Sequence, residues 1–279
     1  VAADPSDLLD RVAIVTGASR GAGRAIALAF AERGADLVLA ARSVAELNEV
    51  KSEIEALGRR ALVVPTDMRD AGQVAALPDR AFTIFGRLDI LVNNAGGAGA
   101  YIEGGTTGLL DAPIEAWDGV MDLNLRGPFI AAQASARIMA RRGAGVILNV
   151  TSANGVFPRS SYQAYSAAKT ALNCLTTLWA VELGEYGVRV NAIAPGMIEA
   201  GRNGARLLNS PEARAEREAM IPLGRLGKPQ DIASLAAFLA SDAASYISGA
   251  VILASGGWRG DSETLKRRGP LPTAEPLPA

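Results

Sequence analysis

The 279-residue chain contains no histidine. Proton transfer therefore falls to Tyr, Lys, Asp, Glu, Cys or a water relay. Cysteine is nearly absent too. Cys174 stands alone, so no disulfide can close within the chain, and a reducing, cytoplasmic setting is expected. It lies in an apolar helical run and reads as a packing residue. Aromatics make up only 5%, which leaves the core to Ala, Val, Leu and Ile. Neither sign of charge prevails: 28 basic residues face 29 acidic ones, for a net charge of −1. No basic stripe with interleaved aromatics occurs, which argues against a nucleic-acid partner. No apolar run reaches the ~18 residues of a membrane span, so no membrane association is expected. Residues 1–10 are acidic and polar, unlike a signal peptide. No metal site is predicted.

What remains is a 49% hydrophobic chain, ample for one large core. Short apolar, β-branched runs at 12–16, 36–40, 61–64, 90–92, 145–150, 188–193 and 251–253 read as strands. Helical spacing fills 23–33, 44–57, 74–85, 114–142, 164–186 and 229–239, with a bend expected near Gly127 and Pro128. Strands that are apolar on both faces and alternate with helices predict an α/β fold. It is a single doubly wound parallel sheet (a Rossmann fold) with helices on both faces, spanning residues 1–258. In such a fold the ligand crevice lies at the carboxyl ends of the strands. Residues 259–279 carry Pro270, Pro272, Pro276 and Pro278 beside Lys266, Arg267 and Arg268, and read as a flexible tail.

The first strand runs into a Gly-rich turn: Gly17, Ser19, Arg20, Gly21, Ala22 and Gly23. Glycines allow the tight turn and close approach to a pyrophosphate, and the following helix offers unpaired N–H donors. Such a turn also serves simply to connect elements. The second strand ends without a carboxylate, at Arg42 and Ser43. An acid there would hold the ribose 2′-OH of NAD, whereas Arg accommodates a 2′-phosphate. Arg42, Ser43 and Arg20 therefore predict NADP(H), the alternative being solvated arginines. Asp67 and Met68 follow the third strand, where a side chain can meet adenine. Asn93, Asn94, Ala95 and Gly96 follow the fourth, where small residues and amides admit the cofactor or stabilise the turn. Pro195 and Gly196 follow the sixth and offer a rigid turn for the nicotinamide end.

Tyr165 and Lys169 are four residues apart, one turn of helix. A free phenol has a pKa of about 10 and is a poor acid near neutrality. A fixed ammonium beside it favours the phenolate. With Ser152 upstream, two hydroxyls can meet a carbonyl oxygen as charge builds on it.

Thr16, Gly17, Gly21, Gly23, the run 93–96, Asn124, Ser152, Tyr165, Lys169, Pro195 and Gly196 occur in order, and this ordered set resembles the short-chain dehydrogenase/reductase family over about residues 9–258. The resemblance implies that Tyr165 is the general acid/base and that Lys169 binds the nicotinamide ribose and lowers the Tyr165 pKa. It further implies that Ser152 binds the substrate oxygen and that Asn124 positions a relay water. Ala200 stands where relatives often have Thr, leaving the backbone at Ile198 to meet the carboxamide. Ser255 replaces a frequent Asp. The resemblance also implies a homotetramer built on the helices at 114–142 and 164–186.

Substrate choice should rest on the Gly-rich loop 97–107 with Tyr101 and Ile102, and on segment 197–222 with Arg202, Arg206, Leu207 and Leu208. Val156, Phe157 and Tyr162 complete a mostly apolar pocket. The substrate is expected to be a small carbonyl or alcohol compound. Hydroxysteroid dehydrogenases, 3-oxoacyl-carrier-protein reductases and broad-specificity ketone reductases all fit. The second would favour a basic patch at Arg126, Arg137, Arg141 and Arg142. A module that only senses NADPH is the non-enzymatic alternative.

Overall fold

Seven aliphatic runs form one parallel sheet in a computed structural model that describes residues 7–97, 109–110, 112–199 and 210–260. The strands are β1 (Val12–Thr16), β2 (Asp36–Ala41), β3 (Ala61–Pro65), β4 (Ile90–Asn93), β5 (Gly145–Val150), β6 (Val188–Pro195) and β7 (Val251–Ala254). Their order is β3-β2-β1-β4-β5-β6-β7. The reversal between β1 and β4 is the switch point, where a crevice opens between diverging crossovers.

Helices α1 (Gly21–Glu32), α2 (Val44–Ala56), α3 (Ala71–Phe85), α4 (Ile114–Met121), α5 (Gly127–Arg142), α6 (Gln163–Gly184), α7 (Pro211–Ala219) and α8 (Pro229–Ala240) accompany the strands. Two core layers result, because every central strand buries side chains on both faces. Phe30, Leu37 and Leu39 pack with α1, α2 and α8 on one face. Ile14, Val38, Leu91 and Ile147 pack with α3, α5 and α6 on the other. The expected α/β architecture is therefore present, with helices on both faces.

The long helix at 114–142 is not continuous. Residues Asp122–Arg126 form a π-helical turn between α4 and α5. The expected irregularity thus lies just before Gly127 and Pro128 and encloses Asn124. Gly127 is required there, since a Cβ would sit 2.4 Å from the Met68 carbonyl oxygen.

Helix α7 lies in segment 197–222, where no helix was expected. Ser210 caps it, accepting the Ala213 N–H at 3.2 Å, and Pro211 occupies its first turn. The Gly-rich loop from residue 98, with Tyr101 and Ile102, lies outside the described residues. So do Ala200, Arg202, Arg206, Leu207, Leu208 and residues 261–279 of the tail. Among the described residues, no helix is long and apolar enough to cross a membrane, and no His, Cys, Asp or Glu cluster could hold a metal.

Candidate active site

The ends of β1 and β4 are fastened to each other before any ligand is considered. The Thr16 hydroxyl donates to the Val92 carbonyl at 3.2 Å and accepts the N–H groups of Asn94 and Ala95, each at 3.0 Å. The Asn94 amide donates to the carbonyls of Thr16 at 2.9 Å and Gly17 at 3.3 Å. Gly17 and Gly21 have φ of +67° and +57°, which L side chains rarely adopt. A Cβ on Gly23 would lie 2.2 Å from the Gly17 carbonyl oxygen. Helix α1 therefore begins flush against the turn, with no acidic residue in its first turn and no side chain capping it. Its free N–H groups and positive dipole end suit an anion.

A cleft of about 760 Å³ opens there. It is lined by every residue expected from Gly17 to Gly23, and by Arg42, Ser43, Asp67, Met68, Asn94, Ala95 and Gly96. Size and polarity suit a nucleotide. Two polar residues in the wall were not anticipated. Glu46, in the first turn of α2, points back and pairs with Arg20 at 3.6 Å, and its Oε2 is buried without a partner. Arg69 binds Asp67 at 2.7 Å. Hydrogen bonds from Arg69 hold the Asp67 carboxyl down to about 2, with a smaller contribution from Arg42. The strand end lacks a carboxylate, as read, but helical geometry returns one from Glu46. Its signal was a Glu one turn beyond Ser43 on a helix that starts at the cleft.

The catalytic candidates do not line the cleft themselves; Asn124 and Lys169 adjoin it at Gly96. The carboxyl end of β5 delivers Ser152, whose Oγ accepts the Asn154 N–H at 3.1 Å and so keeps its own proton free to donate. The turn that follows is clamped on α6. The Gly155 carbonyl accepts from Thr170 Oγ1 at 3.1 Å and Asn173 Nδ2 at 3.0 Å. A Cβ on Gly155 would come within 2.7 Å of the Lys169 backbone. These anchors were missed; their only trace in the sequence is that Lys169, Thr170 and Asn173 share a helix face. Ser152 is consequently held near enough to Tyr165 to act on its titration.

Burial pushes the Tyr165 phenol above its ordinary pKa, and the neighbouring Ser152 hydroxyl opposes this. The lowering expected from Lys169 is not what dominates here. The ammonium lies 5.8 Å from the Tyr165 ring centroid and donates instead to the Val150 carbonyl at 3.0 Å. Lys169 is 2% exposed, and burial lowers it to about 8.

Asn124 is fully buried, and its amide closes the remaining wall. Oδ1 accepts the Gly97 N–H at 2.9 Å, while Nδ2 donates to the carbonyls of Val120 at 2.9 Å and Gly97 at 3.2 Å. A Cβ on Gly96 would be 2.7 Å from Asn124 Oδ1 and 3.1 Å from Lys169 Nζ. Only a glycine leaves that junction open. Pro195 and Gly196 end β6 beside the Ser152 strand, with Val150 in register with Ile193 and the Gly196 N–H bonded to Ala254. Ile198 bridges to Gly227. None of these three lines the nucleotide cleft.

The family described as "Enoyl-(Acyl carrier protein) reductase" matches residues 17–259. The chain is 40% identical over 251 residues to a cis-4-hydroxycyclohexanecarboxylate dehydrogenase of Sinomonas cyclohexanicum, covering 89% of this chain and 96% of that protein. A 7α-hydroxysteroid dehydrogenase complexed with NADH and 7-oxo glycochenodeoxycholic acid superposes with a TM-score of 0.84 at 35% identity, covering 93% and 99% of the two chains. A 3-oxoacyl-[acyl-carrier protein] reductase with bound NAD from Brucella melitensis gives a TM-score of 0.81 at 33% identity, covering 91% and 93%. With this fold, this cleft and these relatives, the chain belongs to the short-chain dehydrogenase/reductase family, oxidoreductases that act on alcohols and ketones.

Proposed function

We propose that the protein interconverts a ketone and a secondary alcohol with NADP(H), using Tyr165 as the acid/base. The observation that carries this reading is that Tyr165 stands beside both Ser152 and Lys169, with Lys169 reaching Gly96 at the edge of a nucleotide-sized cleft. When bound, the nicotinamide supplies the hydride. In the reducing direction Ser152 donates a hydrogen bond to the substrate oxygen, and Tyr165 gives that oxygen its proton. A phenol kept protonated by burial is ready for this direction. Lys169 would hold the nicotinamide ribose, and Asn124 would support the relay from the Lys169 side. Pro195, Gly196 and the backbone at Ile198 would meet the nicotinamide.

The ribose end of the cleft holds three guanidiniums, Arg20, Arg42 and Arg69, against two carboxylates, Glu46 and Asp67. The surplus positive charge supports NADP(H), although the two solved relatives carry NADH and NAD. Following NADPH and NADH oxidation with a ketone panel tests the reading. NADPH is expected to be preferred at least tenfold, and Arg42→Ala to erase most of that preference through KM. Equal use of both cofactors by the native protein would sink the NADP assignment and leave the chemistry standing.

A ring-borne carbonyl is favoured by the two relatives named for cyclohexane and steroid substrates. The carrier-protein alternative loses support, because Arg126 pairs with Asp122 and Arg142 with Asp89, halving the basic patch. A homotetramer is supported by Phe129, Leu178 and Val181, exposed on α5 and α6. Light scattering at micromolar protein should give four times the chain mass; a monomer would refute it. Cys174, expected to pack in the core, is instead exposed on α6, and a single free thiol suits a cytoplasmic setting.

A further inference from the structure

Beyond the acid/base group, the loop joining Ser152 to Tyr165 carries two aromatic–arginine contacts of its own. The chain returns after β7 and lays Trp258, Arg259 and Gly260 against that loop. The Arg159 guanidinium lies 5.8 Å from the Trp258 ring centroid, and the Arg259 guanidinium 5.9 Å from that of Phe157. The backbones are close as well, since a Cβ on Gly260 would sit 2.8 Å from the Phe157 Cβ.

This block begins one residue from Ser152. Trp258 is buried with Ala153, Ile221 and Leu226. The Arg159 N–H donates to the Ser166 hydroxyl at 3.4 Å, one residue past Tyr165. Ring stacking orients a guanidinium without neutralising it, and leaves its N–H edges free for a planar anion. Among the described residues, neither arginine has a carboxylate partner, and both are exposed. Three nearby acids are already paired: Glu199 and Glu218 with Arg214, and Asp231 with Arg225. Two cations without a carboxylate partner among the described residues therefore lie beside Phe157 on the loop that joins Ser152 to Tyr165.

We propose that Arg159 and Arg259 form a carboxylate-binding subsite. The substrate is then an oxo or hydroxy acid whose hydrocarbon body lies along Phe157 and whose carbonyl reaches Ser152 and Tyr165. This rests on the ketone–alcohol reading above. Guanidiniums bind carboxylates through paired, charge-assisted hydrogen bonds.

The test compares full-length protein with the double variant Arg159→Gln/Arg259→Gln. Substrates are a series of cyclic oxo acids, their methyl esters and a 3-oxoacyl coenzyme A thioester. The native protein should prefer acid over ester at least tenfold in kcat/KM. That preference should reside in KM, shrink with added salt, and fall to about unity in the variant. Unchanged melting temperature shows that the variant is folded. Equal use of acid and ester by the native protein, or a preference that survives in the variant, overturns the subsite alone. Dependence of the thioester, and not of the acids, on the two arginines assigns them to a phosphate and also overturns it. No reduction of any ketone, ester or acid with either cofactor removes the dehydrogenase reading and the subsite with it.

Discussion

Tyr165→Phe is expected to lower kcat roughly a thousandfold while the cofactor dissociation constant changes less than threefold. The substitution deletes one oxygen and keeps the ring. Because the chain has no histidine, no imidazole stands nearby to take over. Ser152 is no substitute. Its proton is free to donate, but a serine hydroxyl is far too weak an acid to deliver it outright. The ring does not line the cleft that Arg42 and the Gly-rich turn form, so nucleotide affinity should survive. Stability should change little, since one hydroxyl of a half-buried ring is removed and Ser152 retains its Asn154 contact. Single-turnover rates with preloaded NADPH separate the two effects. A near-native rate would remove Tyr165 from the chemistry.

Lys169→Met should lower kcat/KM about a hundredfold and also change how stability responds to pH. The native ammonium is buried, and its pKa falls from 10.5 to about 8. The unfolded chain therefore binds the Lys169 proton more tightly than the folded one. Between these two values the unfolded state carries more protons, so stability rises with pH in that window. Below about pH 8 the folded state carries the cost of a buried charge, which only the Val150 carbonyl and its surroundings offset. Methionine fills similar volume and removes both charge and titration. From pH 7 to pH 10 the native protein should gain on the order of 2 kcal/mol relative to the variant. Urea melts of both proteins without cofactor, at matched pH, measure that difference. Parallel pH curves would show that Lys169 is not the group with the depressed pKa. Titrations shared by both proteins, including that of Tyr165, cancel in the comparison.

Much of the fold was legible because it rests on local pattern. Strands buried on both faces leave runs of Val, Ile and Leu that nothing else in the chain imitates. The Gly-rich turn and the Tyr165–Lys169 spacing are likewise local. The parts that escaped the sequence are those set by distant partners. Helical periodicity is nearly the same across the π turn as across an α-helix. What marks the π turn is the Asn124 amide reaching Val120 and Gly97, and Gly97 belongs to another element. Glu46 escaped because the strand end was read alone, while the first turn of α2 brings a carboxylate back toward Arg20. The Gly155 carbonyl, which fixes Ser152, is a backbone group and leaves no side-chain signature. The cap at Ser210 and Pro211 was readable and was passed over amid a segment of uncertain pattern.

The strand order also bears on how the molecule comes into being. β1 pairs with β4, and the Val12 N–H reaches the Asp89 carboxylate across 77 residues of chain. Early in synthesis β1, β2 and β3 can assemble, but one edge of β1 waits for a strand not yet made. The Gly-rich turn waits with it, because Asn94 beyond β4 supplies the bonds that hold Thr16 and Gly17. Long-range pairings of this kind delay collapse until the intervening chain has been ordered. The dinucleotide therefore cannot template the first half of the fold. It can only lock a crevice that the fourth strand has already closed, raising the barrier to reopening without hastening assembly.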